Sequence, residues 1–140
     1  MDFQNQPDTA ERPSNSIEFK AVLLVDDDKQ LATALQWILA DQNFLVDVAY
    51  DGEEALLKIK ANEYDAIICD VMMPRVAGEA FYQQVAKDFP FLSDRFLFIT
   101  GQASRNAGLT DFIERTSNRL LEKPFDIEQL RAALQELFSR

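Results

Sequence analysis

Five short apolar runs, each followed by a segment with helical spacing of apolar residues, limit most strongly how this 140-residue chain can fold. Runs that are apolar throughout, rather than alternating, suit strands covered on both faces, and strands that alternate with helices give a parallel sheet wrapped by helices. The first run covers residues 21–25 and ends at Asp26, Asp27 and Asp28. A helix with Leu31, Leu35, Ile38 and Leu39 on one face follows, then a strand over 44–49. Asp51 and Gly52 turn the chain into a helix through Ala55, Leu56 and Ile59. The third strand, 65–70, again ends in a carboxylate, Asp70, and Pro74 and Gly78 mark the loop before a helix that runs to about Asp88. The fourth strand, 96–100, ends in the hydroxyl of Thr100. Small and polar residues over 101–108 leave room for only a short helix, about 109–115, with Leu109, Phe112 and Ile113 inward. A last strand over 119–122 is broken by Lys123 and Pro124, and Ile127, Leu130, Leu134, Leu137 and Phe138 form the apolar stripe of the final helix.

The predicted class is therefore α/β, a doubly wound five-stranded parallel sheet with helices on both faces, occupying residues 19–140. Residues 1–18 carry Asn, Gln, Pro, Ser and charge without apolar periodicity and read as a flexible leader or linker. Several functions are excluded by composition. The chain has no histidine, so it is neither a phosphohistidine carrier, a Ser-His-Asp hydrolase nor a His-ligated zinc site. A net charge of −10 without a Lys/Arg stripe argues against direct binding of nucleic acid. Cys69 is the single cysteine and reads as a small core residue; with no signal peptide or membrane span, a reducing cytoplasm is the expected location.

In an open parallel sheet, ligands gather at the carboxyl ends of the strands. Four such ends here carry Asp26 and Asp27, Asp70, Thr100 and Lys123. Three carboxylates within about 5 Å would repel by roughly 3 kcal/mol per pair at an effective dielectric near 20, so such a group calls for a cation. Mg²⁺, a hard ion that takes oxygen ligands, suits it. Asp28 has the simpler role of capping the first helix. Lys123 by itself would read as a surface lysine, and Thr100 as a β-forming strand end; their common placement argues for function.

The blocks Leu24-Val25-Asp26-Asp27-Asp28, Asp70-Val71-Met72-Met73-Pro74, Thr100-Gly101 and Lys123-Pro124-Phe125 resemble the signature blocks of two-component response-regulator receivers, over roughly residues 20–140. That resemblance implies a flavodoxin-like strand order, 2-1-3-4-5, and a signalling phosphoacceptor rather than an enzyme. Asp70 would take a phosphoryl group from a histidine kinase or a phosphotransfer protein. Mg²⁺ would be held by Asp27 directly, by Asp26 mainly through water, by one oxygen of Asp70 and by the backbone carbonyl of Met72. Lys123 and Thr100 would contact the phosphoryl oxygens, Thr100 and the residue at position 120 would form the conformational switch, and the Lys123–Pro124 peptide would be cis. The family docks kinases near the first helix, where Trp37 is expected either as half-buried packing or as an exposed partner contact. It leaves a homodimer open.

Two positions depart from the family pattern. Leu120 stands where receivers carry Tyr or Phe, which puts the aromatic form of the switch in doubt, and Ala77 replaces an Asp that often precedes Gly78. Residues 112–123 resemble receivers of hybrid histidine kinases more than those joined to DNA-binding domains. Met72 and Gln102, two residues beyond Asp70 and Thr100, flank the path of hydrolytic water in receivers, and an apolar Met72 is expected to obstruct it. The rival readings are a pseudo-receiver that keeps the fold as an interaction module, an aspartyl-phosphate phosphatase and a flavin carrier. The first usually loses an acid or the lysine, and neither is lost here. Val71 and Met72 offer the second no general acid, and the acidic loop at 26–28 would repel the cofactor phosphate of the third.

Overall fold

A computed structural model of the chain describes residues 19–72, 78–101 and 107–139. The leader at 1–18 and the positions of Met73, Pro74, Ala77 and Gln102 lie outside the described residues. In chain order the elements are β1 (Lys20–Val25), α1 (Lys29–Ala40), β2 (Phe44–Ala49), α2 (Gly52–Ala61), β3 (Ala66–Asp70), α3 (Gly78–Asp88), a 3₁₀ turn (Pro90–Leu92), β4 (Phe96–Thr100), α4 (Ala107–Thr116), β5 (Arg119–Glu122) and α5 (Ile127–Phe138). The five strands are all parallel and lie in the order β2-β1-β3-β4-β5, the doubly wound, flavodoxin-like order expected.

Burial explains the continuous apolar runs. Every residue of β3 and of β4 is buried, because one face of the sheet is covered by α1 and α5 and the other by α2, α3 and α4. On the α1 side, Val22, Leu24, Ile68, Leu97 and Ile99 pack against Leu35, Leu39, Leu130 and Leu134. On the other side an aromatic group joins Tyr82 and Phe81 of α3, Phe96 and Phe98 of β4 and Phe112 of α4, with ring centroids 4.8–6.0 Å apart. Edge-to-face and offset pairs of this kind add to plain apolar burial.

The helix ends follow their sequence. Asp28, Asp51 and Asp126 each accept a hydrogen bond from the backbone N–H three residues on, at 3.1, 2.8 and 2.8 Å, and Gln129 completes a capping box at Asp126. Asp28 thus has the capping role expected. Three expectations need adjusting. The inward stripe of α1 is Ala32, Leu35 and Leu39, with Leu31 half-buried and Ile38 exposed, since the helix sits over the sheet edge and covers only its central stripe. Trp37 is 73% exposed rather than half-buried. Helix α4 begins at Ala107 and ends at Thr116, longer than predicted at both ends. Gly78 is required by space: a Cβ there would lie 2.5 Å from Val71 Cα, and the Gly78 N–H donates to the Val71 carbonyl at 3.3 Å. This close approach seats the start of α3 against the turn that follows Asp70.

Candidate functional site at the carboxyl ends of the strands

The register of the sheet brings the strand ends together. Val25 pairs with Cys69, so Asp26 leaves β1 level with Asp70 at the end of β3. Asp70 pairs with Ile99, and Thr100 pairs with Glu122, which places Lys123 one residue beyond the last pair of β5. Backbone hydrogen bonds continue past the ladders: Asp26 N–H to the Ala49 carbonyl at 3.0 Å, Val71 N–H to that of Ile99 at 3.1 Å, and Lys123 N–H to that of Thr100 at 2.8 Å. The loops therefore leave the sheet with fixed directions.

One carboxylate oxygen from each of Asp26, Asp27 and Asp70 lies within 4.8 Å of the others. Asp26 and Asp70 are buried, whereas Asp27 faces the open mouth. From the far edge, Lys123 Nζ reaches Asp70 Oδ2 at 3.1 Å and Asp26 Oδ2 at 3.4 Å. The other oxygens of these two acids are held by backbone amides. Asp28 N–H donates to Asp26 Oδ1 and Met72 N–H to Asp70 Oδ1, each at 2.9 Å. Those amides were not legible in the sequence, since any residue type supplies one and only the turn decides where it points. Thr100 is fully buried at the end of β4, and the Lys123–Pro124 peptide is cis.

The charge balance is uneven. Burial raises the pKa of Asp26 above its ordinary value; the Asp28 N–H opposes this, the Asp70 charge adds to it, and Lys123 counteracts it. For Lys123, burial disfavours the ammonium, but the carboxylates of Asp70 and Asp26 outweigh it and its pKa is raised. A single ammonium thus serves acids that outnumber it. Hard oxygen donors with surplus negative charge suit a divalent cation such as Mg²⁺. Cys69, fully buried beside Asp70, has its thiol pKa pushed up by burial and by the neighbouring Asp70 and Asp26, which disfavours the reactive thiolate. Leu120 pairs with Phe98 and packs half-buried against the aromatic group.

Beside this cup, α1 and the start of α5 enclose an apolar groove of about 360 Å³, with Leu31, Leu35, Ile38, Phe125, Leu130 and Lys123 among its lining residues. Among the described residues, no helix is long and apolar enough to cross a membrane.

Comparison with known proteins agrees with the geometry. The family model of the response regulator receiver domain matches residues 22–135. The response regulator ArlR of Staphylococcus aureus is 31% identical over 122 residues, 85% of this chain and 52% of the relative. The transcriptional regulatory protein DltR of Streptococcus agalactiae is 29% identical over 114 residues, 81% of this chain and 50% of the relative. The chain thus spans about half the length of these curated relatives. Among solved structures, the chemotaxis protein CheY4 of Vibrio cholerae superposes with a TM-score of 0.77 at 29% identity, over 86% of this chain and 99% of that one. The response regulator TrrA of Thermotoga maritima, solved in complex with Mg²⁺-BeF, superposes with a TM-score of 0.74 at 24% identity, over 84% and 98%. With its parallel sheet, its acidic cup and a family match over most of its length, this chain belongs to the response regulator receiver domain family of two-component signalling.

Proposed function

We propose that this receiver accepts a phosphoryl group on Asp70, in a Mg²⁺-dependent reaction, from a histidine kinase or a histidine phosphotransfer protein, and signals by the shift in conformation that follows. The observation that carries this reading is the meeting of Lys123 Nζ with Asp70 Oδ2 at 3.1 Å in a cup shared with Asp26 and Asp27. Asp26, Asp27, Asp70 and the Met72 carbonyl are the groups we assign to the metal, whose bound charge would offset that of the acids and of the incoming phosphoryl oxygens.

The chain's own residues account for the rest. The Asp70 carboxylate is the nucleophile: a P–O bond forms as the donor's P–N bond breaks and the imidazole departs. Met72 N–H orients that carboxylate. Lys123, already bonded to Asp70, is assigned to neutralise charge on the transferred group, and the Thr100 hydroxyl to another of its oxygens. Thr100 then couples to β5, where Leu120 replaces the usual aromatic switch residue by repacking against Phe98.

Incubation with a small-molecule phosphodonor and Mg²⁺, followed by intact mass measurement, tests the assignment. Wild type should gain the mass of one phosphoryl group, while Asp70→Asn, or wild type with a chelator, should gain none. An unlabelled wild type would favour a pseudo-receiver that acts only by binding.

Met72, two residues beyond Asp70 and bonded to it through its N–H, is 45% exposed. Its apolar side chain should hinder approach of hydrolytic water, so Met72→Asn is expected to shorten the phosphoryl lifetime by about threefold or more, on the order of 1 kcal/mol in the barrier. The decay of the phosphorylated species by mass or gel mobility checks this; slower or equal decay in the variant refutes it.

The phosphodonor protein is assigned to the groove between α1 and α5. Lys123 lines that groove and bonds Asp70, which links the groove to the acceptor. Trp37, exposed on α1, supplies an aromatic contact of the kind that anchors interfaces. Trp37→Ala should slow phosphotransfer from the cognate kinase about tenfold or more, yet leave the rate with a small phosphodonor unchanged. Equal slowing with both donors would mean that Trp37 acts on the site rather than on the partner.

A further inference from the structure

Strand β2 forms one edge of the sheet, and its outward side is closed by side chains from both helix layers. The Ala49 carbonyl accepts from Asp26 and so faces β1; by the period of two, the backbone groups of Val46, Val48 and Tyr50 face away from the sheet. Each of these outward residues has a group that meets a side chain. Gln36 Nε2 of α1 donates to the Val46 carbonyl at 2.9 Å, and Lys58 Nζ of α2 donates to the Val48 carbonyl at 2.7 Å. Tyr50 N–H donates to Glu54 Oε1 at 2.7 Å, and Glu54 Oε2 lies 3.7 Å from Lys58 Nζ.

Unprotected, this edge would be a hazard. The strand reads Phe-Leu-Val-Asp-Val-Ala, β-prone and with one charge, and Leu45 is 58% exposed. The one charge, Asp47, accepts a hydrogen bond from the Tyr64 hydroxyl at 2.6 Å. Edge strands of this composition template pairing with a further strand unless charge or cover prevents it.

We propose that Gln36, Glu54 and Lys58 form a guard that prevents β2 of one molecule from pairing with β2 of a second copy of this chain. Two-fold pairing of the edges would require both copies to surrender these hydrogen bonds and would draw two Lys58 ammonium groups into the new interface, where they repel. None of the three residues lies in the acidic cup, so this inference stands apart from the function proposed above.

The test uses the full chain without phosphodonor. Gln36→Leu combined with Lys58→Met should keep the helical and tertiary signal of wild type but self-associate at about tenfold lower concentration or less in sedimentation, a change of about 1.4 kcal/mol. Amide exchange at Val46 and Val48 should slow as the variant associates, because their N–H groups face the new strand. Adding Leu45→Lys to the double variant should restore the wild-type association. A double variant that associates no more than wild type, or one that associates with Val46 and Val48 exchange unchanged, overturns the proposal. Should the double variant fail to fold, Lys58→Met alone decides, with concentration-dependent protection at Val48 supporting the guard and its absence refuting it.

Discussion

Replacing Lys123 by Met should destabilise the metal-free protein by about 2–3 kcal/mol and cut phosphorylation by a small phosphodonor by about 10²-fold. Removing one member of a buried ion pair typically costs about 3–5 kcal/mol, because the remaining charge keeps its burial and loses its partner. Here Asp26 is fully buried and Asp70 nearly so, but the Lys123 side chain retains 24% of its exposure, so the cost falls at or just below the lower end of that range. Methionine keeps most of the length of the lysine stem, and the loss is therefore mainly one of charge. Urea unfolding in chelator measures it, and Mg²⁺ should restore more stability to the variant than it adds to wild type.

The difference between the two proteins should depend on pH in a defined sense. The Lys123 pKa is raised in the fold, so its contribution is present below the ordinary value of 10.5 and is lost as pH rises through the folded value. At the acid end, protonation of Asp26, whose pKa burial raises, removes one of the charges that need the ammonium, and the difference should shrink there too. A variant as stable as wild type in chelator near neutral pH would show that the ion pairs contribute nothing measurable.

Asp26→Asn should have the opposite sign. Burial is the main reason the Asp26 pKa is raised, and the Asp70 charge adds to it. Its protonated form is favoured by folding: the associated stability is complete below the ordinary value of 3.8 and is lost as pH rises through the folded value. At neutral pH the ionised carboxylate is thus a net cost in the metal-free protein. Asparagine retains an oxygen to accept the Asp28 N–H and removes the buried charge, and we expect the variant to be more stable than wild type in chelator. The same variant should lose much of the stabilisation that Mg²⁺ gives wild type, since one of the three carboxylates is gone. Thermal denaturation with and without Mg²⁺ reads both effects. Lower stability in chelator would mean that the attraction of Lys123 to Asp26 outweighs the burial of its charge.

These opposed signs are those of a site shaped for a function rather than for stability. Acids are collected where a fold alone would avoid them, and an ammonium with two backbone amides holds them in place. Gly78 shows a related constraint, since the turn after Asp70 passes too near α3 for any side chain.

Most of the strand and helix plan could be read from the chain because it rests on local pattern. The run at Phe96–Thr100 is short and apolar, Arg119–Glu122 is a short run closed by Lys123 and Pro124, and the structure places those two strands over the same residues. The acids, Thr100 and Lys123 were legible as strand ends because a parallel sheet directs all its carboxyl ends to one side. Local pattern did not settle how far each helix is covered. Trp37 and Ile38 are apolar yet exposed: Ile38 lines the groove between α1 and α5, and Trp37 lies off the stripe of α1 that faces the sheet. Nor did it reveal the 3₁₀ turn at Pro90–Leu92, the left-handed residues Asn43 and Ser117, or the hydrogen bonds of Asn118 to the backbone of Ser93 and Phe96.

Residue types and their order thus determined the layers, the strand ends and the chemistry that could collect there. Tertiary structure alone decided the distances: which oxygen of Asp70 meets Lys123, which amides orient the acids, and which side chains close the β2 edge. The physical reason is range. Helix and strand periodicity act over a few residues of chain, whereas Lys123 and Asp26 are 97 residues apart and meet only because strand register brings them to one place.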